Sequence, residues 1–234
     1  MEHIIGKSAA STDQESQHWM SVSDLMAGLM MVFLFISIAL MRFALIERDK
    51  IKEVAVAYSE NQIAIYEALD EEFSEDLQRW DAEIQKDTLE FRFKSPDVLF
   101  DRGRTDLKLE FQAILDDFFP RYLDVLRPFS ESITEVKIEG HTSSDWNQDS
   151  AEDEAYFGNM NLSQGRTREV LRYIYSIEDV QDLEWVRGHM AAVGYSSSRL
   201  VLDDTGLEDR KRSRRVAFRI VTNAELQIRK ILDI

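Results

Sequence analysis

The chain has 234 residues, a formal net charge of −16 and no cysteine. So acidic a balance argues against a nucleic-acid-binding surface held by bulk electrostatics. The missing thiols exclude disulfides, cysteine nucleophiles and thiolate metal sites, while the length accommodates one membrane anchor and one soluble domain of ordinary size.

Residues 1–18 are polar, Ser-rich and without apolar period, so a short, poorly ordered tail is expected there. Residues 19–42 form the stretch that can cross a membrane. From Ser21 to Met41 it is roughly 20 residues, enough to span a hydrocarbon core as a helix. Asp24 is its one ionisable group before Arg42. A carboxyl group inside lipid is costly, and the default reading is an ion or proton relay held by partner helices. The other reading puts Asp24 at the water interface, one turn past Trp19, where it ends the span; position alone leaves both open. The run is too long for a signal-peptide core and lacks a clear small-x-small cleavage site, so it reads as a retained anchor. Lys7 before the span is offset by Glu2, Asp13 and Glu15, whereas Arg42, Arg48, Lys50 and Lys52 follow it. The positive-inside rule would therefore leave the large C-terminal part in the cytoplasm.

Residues 43–87 follow as a linker. From Glu47 to Lys86 there is no Gly or Pro, and Tyr66, Leu69, Phe73 and Trp80 recur at helical spacing, with Leu77 and Ile84 on a neighbouring row. This predicts a helix, read as a stalk that pairs with a second copy; the alternative is an amphipathic helix packed on the domain that follows.

Residues 88–222 form that domain. Thr88 to Phe93 alternates as a half-buried strand does. Pro96 and Gly103 mark a loop around Phe100. Leu107 to Leu126 reads as a helix interrupted by Pro120, Ile133 to Gly140 as a second strand, Asp145 to Asn161 as an acidic loop, and Leu162 to Ile177 as a helix. Leu183 to Met190 suits a short helix, Met190 to Tyr195 a strand, Ser196 to Ser213 a loop, and Arg215 to Val221 the last strand. The order β-α-β-α-β-β predicts an α/β (α+β) domain, a mixed sheet with helices packed on it, followed by a tail over residues 223–234.

Four short pieces of this domain, in order, carry a resemblance. They are Phe100-Asp101-Arg102-Gly103, the strand end Ile138-Glu139-Gly140-His141-Thr142, the run Asn159-Met160-Asn161-Leu162-Ser163-Gln164-Gly165-Arg166-Thr167, and Ser213-Arg214-Arg215-Val216. Together they resemble the OmpA/MotB family of peptidoglycan-binding domains over roughly residues 88–222. The resemblance implies that Arg166 holds a stem-peptide carboxylate, chemistry suited to the planar guanidinium fork. It implies that Asn159 and Leu162 shape the groove, with His141, Ser143, Asp145 and Arg214 completing the binding set. The family usually carries Asp where Ser143 stands; Asp145 takes over that role from a shifted loop, or binding is weaker or aimed elsewhere.

The span adds a second resemblance. Asp24-Leu25-Met26-Ala27-Gly28-Leu29-Met30-Met31 is similar to the aspartate-bearing helix of stator B subunits. Val22 to Leu29, together with Gly140-His141-Thr142-Ser143-Ser144-Asp145-Trp146, resembles the stator-like membrane subunits of Zorya anti-phage systems. That likeness implies a non-enzymatic inner-membrane subunit, N-terminus cytoplasmic and C-terminal domain periplasmic, against the charge count. It implies two copies of the chain inside a ring of a multi-span MotA/ZorA-like partner, with Asp24 passing ions, protons rather than sodium. No cofactor and no direct nucleic-acid contact are expected. A passive wall tether and a flagellar-type stator subunit are the alternatives.

Other signals are discounted. Asp145 to Asp149 mimics the start of a calcium loop, but Ser150 and Tyr156 stand where an EF-hand needs Gly and Glu. His3, His18, His141 and His189 lack metal-ligand spacing, and no catalytic motif occurs.

Overall fold

The computed structural model describes residues 9–94, 96–147, 150–180 and 182–223. The expected tails therefore lie partly outside it, at residues 1–8 and 224–234. The chain forms two compact units, one ending at Glu53 and one beginning at Val54.

The described residues of the first unit are helical. Helix α1 runs Ala9–Phe73, so residues 9–18, expected as a loose tail, are helix; Ala, Gln and Glu there favour it and no Gly or Pro interrupts. Val22–Lys52 is long and apolar enough to cross a membrane, and none of it is buried. Leu25, Met30, Phe35 and Met41 are all exposed. A helix satisfies its own backbone hydrogen bonds, so such a surface suits lipid.

The second unit is built on a five-stranded mixed sheet in the order β1-β2-β5-β3-β4. Its strands are β1 (Ala82–Gln85), β2 (Glu90–Phe93), β3 (Ile133–His141), β4 (Met190–Gly194) and β5 (Arg215–Thr222). Only β3 and β4 pair in parallel. Helices α2 (Pro96–Leu99), α3 (Leu109–Leu126), α4 (Glu152–Ile174), α5 (Leu183–His189) and α6 (Arg210–Ser213) complete it. Strand alternation sends Phe91, Phe93, Val136, Ile138, Val216, Phe218 and Ile220 into the core, all buried. Phe118 of α3 sits 4.6 Å from Phe91 and 5.1 Å from Phe218, ring to ring. The opposite face carries paired charges, among them Arg92 with Glu90 at 2.6 Å.

The stalk expectation needs correction. Helix α1 ends at Phe73, turns follow, and β1 occupies part of the stretch expected to be helical up to Lys86. Asp81 and Leu89 take positive φ (47° and 49°) in the turns that flank β1, so the absence of Gly and Pro did not exclude sharp turns. Ile65, Leu69 and Phe73 have no exposed surface, and Trp80 is 6% exposed. Phe73 contacts the rings of Phe91 and Phe118 at 5.3 Å each. The apolar face is thus spent on this unit's own core and leaves nothing for a second copy at those positions. Arg121 of α3 locks the arrangement: its Nε donates to Glu72 at 2.6 Å, its Nη1 to Asp76 at 2.9 Å, and its guanidinium lies 4.8 Å over Phe73.

The acidic loop also differs. Helix α4 starts at Glu152, ten residues before the expected Leu162, with Glu152, Asp153 and Glu154 in its first turn. Acidic residues there are favoured by the helix dipole, so the charge run that read as loop is a helix start. Asn159, Leu162, Ser163 and Arg166 then follow at i, i+3, i+4 and i+7, one face of the helix. That face meets the sheet at Gly140, where a Cβ would come within 2.8 Å of the Ser163 carbonyl oxygen.

Candidate functional site

Where β3 ends, the chain leaves the sheet beside α4 and a cleft of about 420 Å³ opens. Three loops and one helix build it. The segment after β2 contributes Phe100, Arg102 and Gly103; the segment after β3 contributes Thr142, Ser143, Asp145, Trp146 and Asn147. Helix α4 supplies Asn159, Leu162 and Arg166, and Arg214 closes the wall just before β5.

Six of the seven residues expected to bind a ligand in this domain therefore line one cleft. His141 does not. It ends β3 underneath, 4% exposed, stacked on Tyr195 at 5.2 Å. Its Nε2 is 3.4 Å from Glu139, a pair to which Arg199 at 3.4 Å and Arg219 at 3.8 Å add charge. Burial is the largest influence on His141 and pushes its pKa down, outweighing Glu139, so the ring is neutral near pH 7. Burial would raise Glu139, but His141, Arg199 and Arg219 hold it below the usual carboxylate range. Arg215, also buried on that side, is pushed down to about 10 by desolvation and then by the neighbouring Arg92.

Two of the expected side chains hold the wall together. Arg166 is 8% exposed; its Nε donates to the Arg104 carbonyl at 3.0 Å and its Nη2 to the Asp101 carbonyl at 3.2 Å. Its guanidinium lies 4.8 Å over the Phe100 ring. Arg166 thus fixes the loop that carries Arg102 and Gly103, whose φ of 69° suits glycine. Asn159 is buried and its Nδ2 donates to the Ser143 and Asp145 carbonyls, both at 3.1 Å. It pins the loop after β3 from the helix side.

The same loop is held from outside. The Ser144 backbone N–H donates to Glu208 at 2.9 Å, and Arg210 pairs with Asp145 at 3.1 Å. Ser143 is buried at the position where the resemblance expects Asp. Asp145 lines the cleft while already paired with Arg210. Arg102, Arg166 and Arg214 thus make this an electropositive depression on a chain of net charge −16, and what it can do chemically is receive an anionic, hydrogen-bonding ligand.

Sequence reasoning did not select Phe100, Arg102, Thr142, Trp146 or Asn147 for the site. Trp146 offered a signal, a large aromatic set among Asp and Asn in a polar loop. Its indole packs on Gly158 of α4, where a Cβ would come within 2.5 Å of the ring. Among the described residues no group of three or more His, Asp or Glu is placed to hold a metal ion.

The chain is 63% identical over 234 residues to Zorya protein ZorB of Escherichia coli (strain ATCC 8739, Crooks), covering all of both chains. No protein-family model matches it. Among solved structures, a MotB-like protein from Desulfovibrio vulgaris superposes with a TM-score of 0.49 at 21% identity, over 73% of this chain and 94% of that one. The cell wall anchor of the type VI secretion system from Pseudomonas aeruginosa gives 0.45 at 22% identity, over 66% and 96%. The periplasmic domain of Helicobacter pylori MotB (residues 78–256) gives 0.43 at 14% identity, over 65% and 88%.

Proposed function

This chain belongs to the ZorB family of Zorya proteins, and on that premise we propose that it is the wall-anchored, stator-like subunit of a proton-driven membrane motor acting in anti-phage defence. The observation that carries the reading is the union, in one chain, of an apolar helix bearing Asp24 with a domain bearing a cationic cleft. Two copies sit within a ring of a multi-span MotA/ZorA-like partner. That partner supplies the polar surroundings that a carboxyl group in the span requires.

Protonation neutralises Asp24, lowers the cost of burying it and lets it exchange protons between the two sides of the membrane. A proton cycle at Asp24 does work only if one part of the assembly is held still. The cleft provides the hold by gripping peptidoglycan: Arg166 and Arg214 face stem-peptide carboxylates, and Asn159 and Leu162 shape the wall around them. The domain must then stand in the periplasm and the N-terminus in the cytoplasm. This runs against the Arg42, Arg48, Lys50 and Lys52 cluster, but the positive-inside rule is a statistical bias and partner helices flank the cluster. No enzymatic step is assigned to the chain.

Asp24→Asn tests the reading. The amide matches a protonated carboxyl group in size and cannot carry a proton. The variant should co-purify with the multi-span partner at wild-type yield and give no protection in a phage plaque assay. Full protection by Asp24→Asn would leave a passive wall tether as the function.

A further inference from the structure

Trp146 is an unexpected residue in a cleft that should receive a charged peptide. It is half-buried among the polar residues Ser143, Ser144, Asp145 and Asn147, and it lines the cleft together with Asn147 and Asp145. The chain holds it deliberately. Gly158 leaves the room its indole occupies, since a Cβ there would stand 2.5 Å from the ring. Asn159, the next residue of α4, ties the loop by donating from its Nδ2 to the Ser143 and Asp145 carbonyls, 3.1 Å each. Beyond the loop, Glu208 and Arg210 hold Ser144 and Asp145. The ring is thus a pre-set flat surface, with hydrogen-bonding groups of Asn147 and Asp145 beside it.

A flat aromatic surface does little for a carboxylate, which the arginines already serve. It suits a ligand with one apolar face and a polar rim. A pyranose ring has that form: its axial C–H groups make an apolar face that gains dispersion against an aromatic ring, while its hydroxyl and acetamido groups seek hydrogen bonds at the edge. We infer that Trp146 forms a sugar subsite, which stacks an N-acetylated amino sugar of the glycan strand next to the stem peptide held by the arginines. This rests on the peptidoglycan reading and extends it: the cleft recognises the junction of sugar and peptide, and Trp146 determines that specificity.

The test compares two probes on the full-length protein in detergent, by calorimetric titration: a disaccharide-tripeptide muropeptide and the same tripeptide without its sugars. The disaccharide should tighten binding to the wild type by roughly fivefold, the scale of one aromatic stacking contact. Trp146→Leu keeps an apolar side chain but not the flat ring and should erase the difference between the two probes. Trp146→Phe keeps a flat ring and should retain most of it. Melting curves check that both variants are folded. Equal wild-type affinity for the two probes overturns the sugar subsite and leaves the wall-binding reading standing, as does a preference that survives in folded Trp146→Leu. Binding of neither probe overturns both.

Discussion

Arg166 shows how one residue can be placed by its surroundings before any ligand arrives. Its Nε and Nη2 hold the Arg104 and Asp101 carbonyls, and Phe100 lies beneath its plane. A guanidinium oriented in this way needs little further ordering to meet a carboxylate. Arg166→Ala should therefore act twice, removing a charge from the cleft and releasing the loop that bears Arg102. A charge-assisted contact contributes about 2 kcal/mol, so retention of the full-length protein on purified sacculi should fall roughly thirtyfold. Unchanged retention by a folded Arg166→Ala protein would remove both the charge and the loop contact from wall binding. His141, by contrast, matched the family pattern in sequence but lies under the cleft. Strand alternation puts it on the Glu139 face of the sheet, where it stacks on Tyr195.

Among the elements, the end of α1 is the one whose packing partner only the fold decides. Its spacing of Leu69, Phe73 and later Trp80 was legible as an apolar face, and the face is real. What covers it was not legible, because a face that pairs with a second copy and one that packs on a sheet have the same period. The second unit uses it: Phe73 is enclosed by Phe91, Phe118 and Trp80, with Arg121 above. Phe73→Ala should destabilise the protein by about 3–5 kcal/mol, the usual cost of emptying a buried phenylalanine site, read by denaturant titration of tryptophan fluorescence. Phe73→Cys should give no disulfide between copies under mild oxidation, and such a link would return α1's end to the paired stalk. The early start of α4 follows similar logic. Glu152, Asp153 and Glu154 suit a solvated loop and a helix N-terminus equally well, and the continuous helix is chosen by the buried Asn159, Ser163, Arg166 and Val170 face behind them.

For the whole molecule, the proposed orientation puts the second unit in the periplasm, and labelling tests it. The exposed Leu109, at the start of α3 and 78% accessible, offers a handle that Phe73 does not. The chain has no cysteine of its own. Leu109→Cys in intact cells should react with a thiol reagent that cannot cross the inner membrane. Labelling only after that membrane is opened would place the domain in the cytoplasm and remove peptidoglycan as its ligand.

Local pattern determined much of this protein by itself. The apolar run with Asp24, the alternating strands around Ile138 and Phe218, and the order of the family-like pieces depend on residue type and spacing within short windows. Those properties survive without knowledge of what packs where. Tertiary structure alone decided that α1's apolar face is consumed internally, that β1 joins the sheet through turns made without glycine, and that His141 lies below the cleft and Trp146 on its wall. Each depends on which of several equally suitable neighbours a side chain meets, and burial and steric fit between segments distant in sequence make that choice.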